Sequence, residues 1–165
     1  MIITIGDWCF DVDVSINMEI SAIQADDHCT CGYCRNYYKT VDDVYPSLRP
    51  FLARFGIDIE GPDELSPFEP TIYEASYIIN GQILSCSNQN IFVDGIPVSV
   101  VRSCDADMDT ERTEPYFVLV IGLMELPWRL DEAQDQVISP ANDASYIERM
   151  QNKLLKRMQS DCLNS

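Results

Sequence analysis

One histidine and three cysteines fall between positions 28 and 34, in the string Asp27-His28-Cys29-Thr30-Cys31-Gly32-Tyr33-Cys34-Arg35, and that histidine is the single one in 165 residues. Thiolates and imidazole are the side chains that bind zinc and the softer transition metals. In an extended segment Cys29 and Cys31 project to the same side, and Cys34 returns to that side if a helix begins near Cys31. The spacing Cys-x-Cys-x-x-Cys therefore brings three sulfurs to one tetrahedral ion at about 2.3 Å each, and zinc is the expected metal. A fourth ligand is still needed. His28 is adjacent, but an extended backbone throws it to the side opposite Cys29, so it coordinates only if the chain turns sharply; Asp27, Cys9, Cys86, Cys104 and water are its rivals. Three cysteines with His28, or four cysteines, make a closed structural site, whereas three cysteines plus water leave a position for chemistry.

The same residues support two other readings. Cys31-Gly32-Tyr33-Cys34 is a Cys-x-x-Cys at a helix start, where a thiolate gains stability and a redox couple becomes feasible. Reduced cysteines packed beside a helix are the plain alternative. If a metal binds, three thiolates on a divalent ion leave negative charge, which the helix amino terminus, Arg35 and Lys39 would offset. Elsewhere Asp105, Asp107 and Asp109 have the one-three-five spacing of a calcium loop. Thr110 stands where that loop needs glycine and Tyr116 where it needs a bidentate Glu, so a solvated acidic loop is the better reading. Phosphate-binding glycine loops are absent from the sequence, and a Ser-His-Asp triad would have to take His28 from the cluster.

With 27 acidic against 11 basic residues the net charge is -16. Such a surface repels phosphate backbones and anionic membranes, so nucleic acid and membrane are not expected partners; its plain reading is solubility, and the alternative is an acidic interaction or inhibitor protein that captures a basic partner. The amino terminus has no basic, apolar signal-peptide pattern, and no stretch approaches the roughly 20 apolar residues of a membrane span. Seven cysteines without an export signal read as reduced thiols in the cytoplasm.

The elements that must position the cluster are predicted as follows. Trp8 to Ala22 alternates apolar and polar residues with period two, which predicts a strand, either long and bent or interrupted by a turn near Ser15-Ile16-Asn17. Tyr33, Tyr37, Val41, Val44 and Tyr45 recur at helical spacing and predict a helix starting near Cys31 and ended by Pro46. Leu48, Phe51, Leu52 and Phe55 predict a second helix, with Ser47 as its cap and Gly56 closing it. Residues 57–70 read as a proline-rich surface loop with one helical turn. Strands are expected over 71–79 and 82–86, joined by an Asn80-Gly81 hairpin turn, then over 91–93 and 96–102 around Asp94-Gly95. Residues 103–115 form an acidic loop, and 116–124 a buried central strand. Asn142 caps a final helix over about 143–161, with Ile147, Met150, Leu154 and Met158 on one face and Lys153, Lys156 and Arg157 near its carboxyl end. The sum is a single α+β domain: a mixed or mostly antiparallel sheet packed with about three helices.

Two resemblances rest on these strings. HCTCGYCRNYY, residues 28–38, resembles the Cys-x-Cys-x-x-Cys-Arg element of the glutathione-dependent formaldehyde-activating enzyme family, which implies a zinc ion near a reacting thiol adduct and an enzymatic use of the same cysteines. That family's separate structural-zinc cysteine pairs have no counterpart here, since Cys9, Cys86, Cys104 and Cys162 are isolated. CRNYY, GIDIEGPDEL (56–65) and ELPWRLDE (125–132) together are similar to a group of small bacterial cytosolic proteins, a resemblance that implies no activity.

Overall fold

The computed structural model describes residues 1–134 apart from Pro70 and Asp109; the final helix expected over 143–161, Cys162 and the basic cluster of residues 149–157 lie outside the described residues. Seven strands form one sheet: β1 (Ile2–Ile5), β2 (Trp8–Val12), β3 (Glu64–Glu69), β4 (Ile72–Ser85), β5 (Ile91–Val93), β6 (Ile96–Arg102) and β7 (Tyr116–Glu125). The order is β1-β2-β4-β7-β6-β5, with β3 also on β4, and every pairing is antiparallel. Among the described residues three α-helices, α1 (Val14–Asp26), α2 (Gly32–Val44) and α3 (Leu48–Ala53), complete the α+β class that the sequence predicts.

One sheet face carries Phe10, Tyr73, Tyr77, Phe117, Leu119 and Ile121 into a core closed by Tyr33, Tyr37 and Val41 of α2 and Leu48, Leu52 and Phe55 from α3 and its end. On the other face Ile78, Val101, Val118 and Val120 are covered by Met108 and Tyr116, so the acidic loop over 103–115 also serves as a lid on apolar surface. The buried central strand reading of 116–124 holds: β7 lies between β4 and β6.

Three expectations are overturned. The alternating stretch is a strand only to Val12; Asp13 then caps α1, its Oδ1 accepting from the Ile16 N–H at 3.2 Å. Alternation persists through the helix because its inward stripe is polar. Asn17, Ser21 and Gln24, spaced i, i+4, i+7, bond to the Phe55 carbonyl, the Asp58 N–H and the Asp63 carboxylate at 2.9, 2.7 and 2.8 Å. Helical periodicity in hydrophobicity is therefore missing although the helix is real.

The second correction concerns Asn80-Gly81, which is not a hairpin turn. β4 runs through it unbroken, pairing with β7 over Ile72–Asn80 and with β2 over Gly81–Ser85. Gly81 has φ +152°, and a Cβ there would sit 2.4 Å from the Asp11 carbonyl oxygen, so glycine is needed for the close approach of β2. Residues 64–69, expected in a loop, pair with β4 as β3 despite Pro67. A hairpin with positive φ at both central residues does occur, at Asp94-Gly95 between β5 and β6.

Candidate metal centre

The cluster sits where α1 ends and α2 begins. Residues 28–31 are irregular, Cys31 is extended at φ -64°, ψ 161°, and the helix starts at Gly32. This is the extended-then-helical geometry that the spacing requires. The Sγ atoms of Cys29, Cys31 and Cys34 all lie within 4.8 Å of one another and could hold a metal ion. Cys29 and Cys31 are exposed, and Cys34 is buried.

Their ionisation differs for physical reasons. Cys29 is held below the ordinary thiol value, first by a hydrogen bond from the Cys31 backbone and then by the Cys31 thiol. Burial drives the Cys34 thiol upward, reinforced by Cys31 and Cys29. Tyr38 is likewise raised, by burial and then by the neighbouring Cys34. A divalent ion would reverse the cost at Cys34, since metal coordination deprotonates a thiol outright. Binding would release protons and weaken as the pH falls.

His28 is not part of the convergent trio. Its ring stacks on Tyr38, centroids 4.5 Å apart, and its Nδ1 is buried with no hydrogen-bond partner among the described residues. It does line the same cavity as the three cysteines, a space of about 530 Å³ also bordered by Ile23, Gln24, Asp27, Glu60 and Leu65. Of the other rivals for fourth ligand, Cys9, Cys86 and Cys104 do not join the trio, nor does Asp27, although it borders the cavity. The carboxylates Asp105 and Asp107 form no metal-binding group among the described residues, and Asp109 lies outside them.

Arg35 and Lys39 turn their charge to structural use. Arg35 Nε donates to the Thr30 carbonyl at 2.9 Å, fixing the loop between Cys29 and Cys31, and its other arm pairs with Glu132. Lys39 Nζ donates to the Arg129 carbonyl at 2.9 Å. Asn36, fully buried, donates to the Pro127 carbonyl and accepts from the Arg129 N–H at 3.1 and 2.8 Å. Trp128 meets Tyr33 edge-on and bonds the Glu132 carbonyl. The strings CRNYY and ELPWRLDE are thus two halves of one contact, a strap that presses the start of α2 onto the core. Sequence reasoning missed this use; an Arg, an Asn and a Lys at i, i+1 and i+4 directly after the cysteines is the signal that was available.

Fold and site together define an α+β chain with a three-cysteine cluster able to hold a metal ion. Comparison with known protein families, with curated proteins and with solved structures finds no match to this chain. Among the described residues, no helix is long and apolar enough to cross a membrane.

Proposed function

We propose that the chain is a cytoplasmic zinc-binding protein in which the thiolates of Cys29, Cys31 and Cys34 hold the ion and the ion's role is structural. The observation that carries this reading is the convergence of three sulfurs within 4.8 Å at the joint between two helices. α1 is tied to the rest of the protein by polar contacts and α2 by the strap and its own buried face, and the five-residue joint between them, residues 27–31, carries two of the three cysteines. An ion binding one residue of α2 and two of the joint would fix the angle at which the helices meet. His28 is the protein ligand best placed to complete the shell, since it borders the same cavity and its Nδ1 has no hydrogen-bond partner among the described residues; its ring would have to leave the Tyr38 stack.

An enzymatic use of the same cysteines is the second reading, favoured by the exposure of Cys29 and Cys31 and by the hydrogen bonds from Cys31 that favour the Cys29 thiolate. It takes the form of an open zinc position or a thiol couple, and a change of two in the free thiol count across a glutathione redox series would support the couple.

The test is elemental analysis of untagged protein with thiol titration before and after chelation. One zinc per chain is expected, with three thiols becoming reactive only once the metal is removed. Cys34→Ser should abolish stoichiometric binding, and His28→Ala should weaken it by 10- to 100-fold if the imidazole completes the shell. A metal-free protein whose cysteines titrate freely would end the zinc reading.

A further inference from the structure

The three sulfurs converge without a fourth donor. Among the described residues no other Cys, His, Asp or Glu atom joins the Cys29, Cys31 and Cys34 group, whose sulfurs lie within 4.8 Å of one another, and His28 is stacked on Tyr38. The trio is also short of positive charge. Arg35 is engaged with the Thr30 carbonyl and with Glu132, and Lys39 with the Arg129 carbonyl. The 530 Å³ cavity that the cysteines border has Asp27, Glu60 and Asp63 in its lining and, among the described residues, no Lys or Arg. Cys34 is buried, where an uncompensated anionic sulfur is costly. A divalent ion on three thiolates leaves one negative charge in these surroundings, in a chain already at -16. A trivalent ion that takes three sulfurs and no fourth ligand leaves none.

We propose that the cluster is a binding site for trivalent arsenic, or its heavier congener antimony, held as a three-sulfur pyramid. Thiolates are the soft ligands that such an ion selects, and its lone pair occupies the fourth tetrahedral direction, so neither His28 nor water is required. The entering species, arsenous acid, is uncharged at neutral pH and meets no repulsion from an acidic surface. Cys29 and Cys31, both exposed, are the points of attack, and the buried Cys34 closes the third bond from the protein side. In the exchange three As–O bonds and three S–H bonds break, three As–S bonds form and three water molecules leave. Arsenic stays trivalent throughout, so no oxidant or reductant takes part. The product is neutral, which removes the cost of an anionic sulfur at Cys34. The inference rests on the same three thiols as the zinc reading and not on the ion.

Titration of the full chain, reduced and freed of metal, with sodium arsenite and native mass spectrometry tests it. The expected product is a one-to-one adduct heavier than the chain by one arsenic less three hydrogens, since each As–S bond releases one thiol proton. This mass counts the bonds in the wild-type chain without any variant. Cys29→Ser, Cys31→Ser and Cys34→Ser should each give an adduct that keeps a hydroxyl on arsenic and binds at least about 100-fold more weakly, because the third bond closes intramolecularly. Cys86→Ser and Cys104→Ser should bind as the wild type does. A wild-type adduct that keeps a hydroxyl, an affinity unmoved by the three substitutions in the trio, or no adduct at all would overturn the proposal. Zinc titrated in the same way separates the two readings. A chain that takes zinc but not arsenite ends this inference alone, and one that takes arsenite but not zinc ends the zinc reading alone.

Discussion

At the scale of residues, α1 is held by polar side chains whose loss cannot be absorbed by repacking. Asn17 is fully buried; its Nδ2 donates to the Phe55 carbonyl at 2.9 Å and its Oδ1 accepts from the Asn80 N–H and side chain at 2.9 Å each. Asn17→Ala would strand a carbonyl and an N–H in the interior, at a cost of about 2–4 kcal/mol. Urea denaturation should show this as a lower midpoint with unchanged slope, and a loss under about 0.5 kcal/mol, the range of ordinary surface substitutions, would contradict the burial argument. The exposed isoleucines of the same helix, Ile16 and Ile23, are legible in the sequence as apolar residues but not as outward-facing ones.

At the scale of elements, the sheet's centre and the cysteine-bearing helix were readable from sequence, and α1 and the course of β4 were not. The helix α2 could be read because Tyr33, Tyr37 and Val41 all bury on one side, so local spacing and tertiary packing agree. Over 14–26 they disagree: Asn17, Ser21 and Gln24 face inward, and hydrophobic alternation mimics a strand. The capping Asp13 and the helix-favouring residues Met18, Glu19, Ala22, Gln24 and Ala25 were the better guide. At Asn80-Gly81 a turn dipeptide was chosen by the close passage of β2 and not by any turn. The cluster's three cysteines were legible because their convergence is local, while the strap from 125–132 is some 90 residues distant, and Arg35, Asn36 and Lys39 signal a polar partner without saying which segment supplies it. Gly81→Ala is accordingly expected to destabilise by about 1–3 kcal/mol or more, since the clash is with backbone. Thermal melting provides the check, and a melting temperature equal to wild type would show that β2 can move aside.

At the scale of the whole molecule, the core holds a pair of phenols bonded to each other. Tyr37 and Tyr77 are fully buried, share a 2.7 Å hydrogen bond, and Tyr77 donates to the Ile59 carbonyl at 2.7 Å. Burial raises both above the ordinary value of 10.0, Tyr77 with added repulsion from Tyr37. Below pH 10 both the folded and the unfolded chain keep these protons, and the contribution to stability is intact. Above it the unfolded chain loses them first, so stability falls by roughly 1.4 kcal/mol per pH unit for each phenol. Stability measured by urea between pH 9 and 12 should bend downward near 10, and Tyr37→Phe should shallow the decline; a flat profile would mean the phenols ionise in the folded core. The passage of β4 from β7 to β2 sets a further condition, on the order in which the protein is made. β2 leaves the ribosome at Val12, yet its partner stretch begins at Gly81, about 70 residues later. At 5–20 residues per second that is an interval of roughly 3 to 14 seconds. During it the first hairpin carries Phe10 and Val12 with no sheet to join, so the nascent chain, more than the finished one, is the form exposed to chaperones and to aggregation.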